Sequence, residues 1–363
     1  MPECIFDPNV LPMNENSWID PRLPLIDLHR HLDGSIRLET VLEVALEQGI
    51  TLPAYDLAAL RPHVVVEGKA AGLMDFIGRF RWLTTILHDL DTCRRVAYEN
   101  VVDAGGEGIE YIELRFSPWF MAEPHGLDPS GVVEAVADGV VAAERDTGVR
   151  AQIIGILSRT YDTDTCHREL DALLAHRDHL VAIDLAGDEM KFPASLFEAH
   201  FRRARDAGLQ VTVHAGEVDG PHSVWSAIRD LGATRIGHGI HALEDPALVA
   251  YLAENRIGLE IAITSNIQVG IVDDYPDHPV SRILQSGIVA CLNTDDPAIS
   301  GIDLRHEYTV AAPRAGLTPA QTRQAQAHAL EMAFLPENER DILRRRAGDH
   351  PGGTAIQSPG NGL

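Results

Sequence analysis

The sequence predicts an α/β protein, a single (β/α)8 TIM barrel with extra helices inserted after the first strand and at the C-terminus. Three observations carry this expectation. Eight short apolar runs recur along the chain, segments of helical period separate them, and several runs end in histidines or carboxylates that a buried strand does not need. Strands that alternate with helices pair in parallel, and eight of them close a barrel whose chemistry sits at the strand C-termini. A doubly wound open sheet is the competitor, but it favours a glycine-rich turn after its first strand, and "HRHLDGS" is not one.

In chain order, residues 1–22 read as an N-terminal extension; its first twenty carry acids and no Lys or Arg, unlike a secretory signal. The strands are expected at "LPLIDLH" (23–29), "IEYIELRF" (109–116), "RAQIIGILS" (150–158), "LVAIDLAG" (180–187), "LQVTVHAG" (209–216), "RIGHG" (235–239), "IGLEIAI" (257–263) and "GIVACLN" (287–293). The long gap after the first strand, about residues 36–108, holds a helical insert. Within it "MDFIGRFRWLTTIL" places Phe76, Ile77 and Phe80 on one helical face, either packed onto the barrel or covering its mouth. Later helices are "PSGVVEAVADGVVAAERD" and "SLFEAHFRRARDAG", the second stopping at Gly208. The barrel unit spans 23–349, and the Gly- and Pro-rich residues 350–363 are expected to be poorly ordered.

Charge and composition narrow the function. With 54 acidic against 30 basic residues the net charge is −24, a field that disfavours nucleic-acid backbones and anionic membranes. No window approaches the roughly 18 consecutive apolar residues that cross a bilayer. The four cysteines show no C-x-x-C pairing, so a reduced, cytoplasmic chain is expected. Only Lys69 and Lys191 are lysines. The fourth strand therefore offers no carboxylated lysine to bridge two metals, and no Schiff-base lysine is available there. The H-x-E with P-C-x-x-C signature of the nucleobase deaminases is also absent. Oligomeric state is not written in the sequence.

Candidate functional groups gather at four strand ends. His29 and His31 lie two apart, on one face of an extended chain. His214 ends the fifth strand with Glu217 just beyond, His238 stands between glycines on the sixth, and Asp295 and Asp296 follow the eighth. Each has an ordinary reading: a core histidine, an acid favouring a helix N-terminus, a turn former before Pro297. Together, three histidines and a carboxylate match the N/O ligand set of Zn²⁺ with room for a water. One aspartate then ligates the cation while its neighbour points toward a substrate, as in a mononuclear metal hydrolase.

The motifs "LPLIDLHRHLDGS", "IELRFSP", "DLAGDE", "VHAGE", "RIGHG", "TSNIQ", "HP" and "NTDDP" occur in this order. From about residue 23 to about residue 346 the chain resembles the adenosine deaminases, the barrel branch of the metal-dependent amidohydrolases. The stretch "HEYTVAAPRAGLTPAQTRQAQAHALEMAFL" looks like the bacterial enzymes in particular. The resemblance implies one zinc per chain on His29, His31, His214 and Asp295. It implies Glu217 as proton donor to purine N1, His238 beside the attacking water, Gly187 N–H at N3, Asp296 at N7, and His31 with Asp33 at the sugar. The implied reaction is attack of metal-activated water on C6 of adenosine or 2′-deoxyadenosine, yielding inosine or 2′-deoxyinosine and ammonia. Glu217 must then hold a proton when substrate is bound, which a desolvated carboxyl can do. The implied partner is a small-molecule purine nucleoside. Asp33-Gly34, where adenine deaminases of this fold tend to have Glu-Gly, leaves room for a ribose and would repel a 5′-phosphate. Ala262 and Ile263 replace a usual Cys-containing stretch, and Arg81 stands where an acid is common. The alternatives are a modified 6-aminopurine nucleoside such as aminodeoxyfutalosine, adenine itself, or a non-catalytic nucleoside-binding barrel, which should have lost Glu217 or a ligand.

Overall fold

The computed structural model describes residues 17–349. The eight strands are β1 (Ile26–His31), β2 (Tyr111–Phe116), β3 (Arg150–Ser158), β4 (Leu180–Ala186), β5 (Gln210–Ala215), β6 (Arg235–His238), β7 (Gly258–Ile261) and β8 (Ala290–Leu292). Each pairs in parallel with the next, in one sheet ordered β1 to β8. Closure falls to two backbone hydrogen bonds just past β8: Asp295 N–H donates to His29 O (2.8 Å), and His31 N–H donates to Asp295 O (2.8 Å). This differs from the expected first strand, which ends at residue 29. The extra pairing with Asp295 carries β1 on through His31.

Helices coat the sheet. Pro129–Thr147 forms the expected helix, started by Asp128 with Pro129 at its first position and stopped at Gly148. The "SLFEAHFRRARDAG" segment is a 3-10 turn, Ala194–Phe197, running into the helix Glu198–Asp206. The insert contains helices Leu38–Gln48, Leu57–Val64, Leu73–Ile77, Phe80–Thr84 and Leu90–Glu107. The apolar stripe of Phe76, Ile77 and Phe80 thus spans two short helices interrupted at Gly78, not one continuous helix. Pro319–Met332 and Glu337–Asp349 supply the C-terminal helices.

Leu25, Ile112, Leu114, Ile153, Ile183, Val213 and Ile236 belong to one large buried apolar cluster with the surrounding helices. Ile26, Leu28, Val289 and Cys291 pack in a second cluster with Leu330 and Met332. Asp20 N–H donates to Gln326 Oε1 (3.0 Å), so the end of the N-terminal extension is tied to the Pro319–Met332 helix. The bulk of that extension, Cys4 and the tail 350–363 lie outside the described residues. Cys93, Cys166 and Cys291 are buried free thiols. Among the described residues no helix is long and apolar enough to cross a membrane.

Candidate metal centre and active site

Four ligand atoms converge at the barrel mouth. His214 Nε2 stands 3.0 Å from His29 Nε2 and 3.2 Å from His31 Nε2, and Asp295 Oδ1 stands 3.3 Å from both of the latter. Tetrahedral coordination with bonds of about 2.0–2.1 Å places neighbouring ligand atoms roughly 3.3–3.4 Å apart. The spacing therefore suits a divalent cation. The protonation pattern agrees. Nδ1 of His29 meets Glu260 Oε2 at 2.7 Å, and Nδ1 of His214 stands 2.9 Å from Asp184 Oδ2. Buried carboxylates at Nδ1 hold the ring protons there, turning the Nε2 lone pairs on one another, which only a cation makes favourable. Burial holds His31 and His214 below the ordinary histidine range, in the neutral form that ligates. Burial and Arg115 oppose protonation of His29, but Asp295 and Glu260 outweigh them and raise it. A cation on Nε2 would take the place of that proton.

The backbone aims the two aspartates apart. Asp295 has φ 63°, a left-handed conformation costly for a non-glycine residue, while Asp296 is at φ −122°. Ser265 Oγ donates to Asp295 Oδ2 (2.7 Å), leaving Oδ1 to face the histidines. Burial disfavours charge on Asp295, yet the His29 hydrogen bond and the surrounding imidazoles hold its carboxyl well below the usual range. Asp296 goes the other way: burial, then the charges of Asp295, Asp33 and Glu217, push it well above. The surroundings thus favour charge on Asp295 and a proton on Asp296, which relieves their mutual repulsion.

Glu217, Gly187, His31, His214, His238, Asp295 and Asp296 line a common cavity. Burial, reinforced by Asp295 and Glu189, raises the Glu217 carboxyl well above the normal range, with Arg159 opposing. The site thus favours the protonated form of this carboxyl. Gly187 has φ 113°, and a Cβ there would stand 2.4 Å from Thr160 Oγ1, so glycine is required on both counts.

His238, also left-handed at φ 62°, has its Nε2 3.7 Å from Glu217 Oε1 and 3.9 Å from Asp295 Oδ2. Its tautomer follows from a buried chain. Val280 N–H donates to His278 Nδ1 (3.2 Å), so the His278 proton sits on Nε2 and goes to Asn266 Oδ1 (3.2 Å). The Asn266 amide then donates to His238 Nδ1 (3.1 Å), leaving the His238 proton on Nε2, facing the cavity. His238 also lies among atoms within 4.8 Å of one another that include His29, His214 and Asp295. A protonated Nε2 does not ligate, and the Nε2 of His31 stands closer to His214 and Asp295, so His31 suits the third position better.

Leu73, Phe76, Ile77 and Phe80 form the apolar wall opposite, so the insert both packs on the barrel and covers its mouth. The cavity beneath is about 70 Å³. Small-molecule sites span roughly 300–1,000 Å³, so admitting a nucleoside requires this wall to move outward. Asp33 does not line the cavity. It is buried with Oδ1 3.9 Å from His31 Nδ1, and burial pushes its carboxyl up to about 7. A larger cavity of about 400 Å³ lies apart, lined by Arg30, Arg37, Asp103 and Glu107, whose charges pair with one another.

Several supporting residues carry no role in the sequence reading. Glu260 accepts from His29, from Thr212 Oγ1 (2.8 Å), from Arg115 Nη2 (2.6 Å) and from Arg235 Nε (2.5 Å). Arg115 also donates to Asp184 Oδ2 (2.8 Å), and Arg235 to Glu113 Oε2 (2.5 Å). The barrel interior is thus a fully buried charge network that orients His29 and His214, two of the candidate ligands. Its signal was present: Glu113, Arg115, Asp184 and Glu260 interrupt otherwise apolar strand runs, and a buried charge is rare unless partnered. Asn266 and His278 fall in the "TSNIQ" and "HP" motifs, but nothing in those motifs shows that they pair with each other or with His238.

Comparison with known proteins places this geometry. Residues 24–349 match the family model described as adenosine deaminase. The chain is 55% identical over 331 residues to an adenosine deaminase of Vibrio parahaemolyticus, covering 91% of this chain and 99% of that protein. It is 56% identical over 326 residues to one of Yersinia pseudotuberculosis, covering 90% and 98%. Among solved structures it is similar to an adenine deaminase of Arthrobacter aurescens (TM-score 0.84, 26% identity, 90% and 98% covered). It is also similar to an amidohydrolase of Burkholderia ambifaria with bound Zn (TM-score 0.81, 26% identity, 90% of each chain covered). An eight-stranded parallel barrel, imidazoles and an aspartate converging at its mouth, and this extent of likeness lead to one assignment: the chain belongs to the adenosine deaminase family.

Proposed function

We propose that this chain catalyses the zinc-dependent hydrolytic deamination of adenosine and 2′-deoxyadenosine to inosine and 2′-deoxyinosine, releasing ammonia. The observation that carries the reading is a buried Glu217, its carboxyl raised well above the usual range, on the same cavity as His31, His214, His238 and Asp295. A zinc ion held by His29, His31, His214 and Asp295 would lower the pKa of a water from 15.7 toward about 7. The remaining chemistry belongs to the side chains. An intact purine resists attack at C6. Glu217, carrying its proton at neutral pH, supplies it to N1 and makes C6 electrophilic. His238 presents Nε2–H to the cavity and so orients the attacking water by donation, while ionised Asp295 is the proton acceptor beside it. Gly187 N–H is assigned to N3. Asp296, protonated, donates to N7, a role its ionised form could not fill. His31 and Asp33 are assigned to the sugar side, Asp33 after the wall of Leu73, Phe76, Ile77 and Phe80 has moved.

The cavity lining contains no Lys or Arg, which argues against a nucleotide. Some similar solved structures are described as complexed with IMP or GMP, so a nucleotide belongs in the test. The test is a panel of adenosine, 2′-deoxyadenosine, adenine, AMP and modified 6-aminopurine nucleosides, followed by the absorbance change on loss of the 6-amino group. Adenosine and 2′-deoxyadenosine should be turned over best. Preference for AMP or adenine, or a Glu217→Gln variant retaining more than a tenth of the rate, would overturn the proposal.

A further inference from the structure

Glu189, just past β4, has a contact pattern that the reaction above leaves unused. Its Oε1 accepts from Gly216 N–H (2.5 Å), and its Oε2 accepts from Glu217 N–H (3.2 Å), Val218 N–H (3.0 Å) and Asp219 N–H (3.2 Å). The side chain is buried at 3% exposure; buried Arg159 attracts it electrostatically, but its hydrogen bonds go to the loop amides. A buried carboxylate needs donors for its oxygens. Here four successive amides supply them, in an arrangement that binds anions elsewhere in proteins. The amides in turn have few other acceptors, because residues 216–219 form a loop between β5 and the helix Pro221–Ser226. Gly216, at φ 64°, turns the backbone so that these N–H groups converge, and a Cβ there would strike Val224 Cγ2 at 2.6 Å.

From this geometry we infer that Glu189 is a positioning residue for the reaction, clamping the loop that carries the proton donor Glu217 to the loop that carries Gly187. The inference rests on the proposed role of Glu217. Purine N1 and N3 are separated by a single ring carbon, so the groups that address them must hold a fixed spacing. Catalytic groups act within about 0.5 Å of their productive positions. Glu217 and Gly187 lie on different strands, and Glu189 is the side chain that bonds one loop directly to the other. The remaining charged and titratable neighbours of Glu217 are Asp295, Asp296, Arg159 and His238, on β8, β3 and β6 loops. None of these bonds the 216–219 backbone.

The test is a double-mutant cycle on the zinc-loaded protein. Glu189→Gln keeps the shape but turns an NH2 group toward amide donors. It should lower kcat for adenosine by roughly 10²-fold, the penalty of about a 1 Å misplacement, with KM within threefold and zinc content unchanged. In a Glu217→Gln background, read by end-point product formation, the same change should cost less than twofold, since its effect passes through Glu217. If Glu189→Gln does not fold, Glu189→Asp, which keeps the charge but shortens the reach, should show the same kcat loss. An unchanged kcat, or losses that multiply in the double variant, overturns the inference while leaving Glu217 as proton donor. An active Glu217→Gln enzyme instead overturns the proton-donor assignment itself.

Discussion

Gly34 makes the sharpest single-atom prediction. It follows Asp33 in the loop after β1, and a Cβ placed on it would stand 1.8 Å from Asp296 Oδ1, 2.7 Å from Asp296 Cγ and 3.0 Å from Asp296 Cβ. A relaxed carbon–oxygen contact is near the 3.5–4.0 Å optimum for nonbonded atoms, so Gly34→Ala must move the carboxyl by roughly 1.5 Å or more. Asp296 Oδ1 has no hydrogen-bond partner to resist the push, so the fold should survive with a modest fall in thermal midpoint. Catalysis should not. Misplacement by about 1 Å costs on the order of 10²-fold, equivalent to about 2.7 kcal/mol of transition-state stabilisation. The assay is kcat/KM for adenosine, with zinc content measured on the same preparation. The loss should shrink to a fewfold in an Asp296→Ala background, where no carboxyl remains to be displaced. Gly34→Ala retaining more than a tenth of parent activity would falsify the contact or the role given to Asp296.

Asp184→Asn should weaken zinc binding about 10- to 100-fold in a chelator competition, because it removes the carboxylate that orients His214 through Nδ1; unchanged affinity would sink the orienting role. Glu307 gives a pH prediction. It is fully buried, accepts from Ile263 N–H (3.0 Å) and Thr264 N–H (3.2 Å), and is pushed by burial from 4.5 up to about 7. The folded state therefore keeps a proton that the unfolded chain gives up, so its contribution to stability is present below pH 4.5 and lost as pH rises through 7. From pH 5 to pH 8 wild type should lose about 2–3 kcal/mol relative to Glu307→Gln, read from urea midpoints. A difference independent of pH would refute the assignment.

Much of this molecule can be read from local pattern. Strand runs such as "RAQIIGILS", the helix opened by Asp128-Pro129 and closed by Gly148, and the H-x-H spacing of His29 and His31 are consequences of period and short-range sterics. The barrel then follows from their count and order, and with it the prediction that His29, His31, His214, His238 and Asp295 meet. What could not be read are relations across the barrel. Which of Asp295 and Asp296 keeps its charge depends on His29 and Ser265 on one side and on Asp33 and Glu217 on the other, set by distances that no spacing encodes. The His278–Asn266–His238 chain joins residues whose separation in sequence carries no period, and it alone assigns the His238 proton. Glu189 looks like one more acid in a loop until four amides of another loop close around it. Local pattern sets which groups reach the mouth of the barrel. Electrostatics between them acts through space, so protonation states and orientation emerge only once the chain has folded.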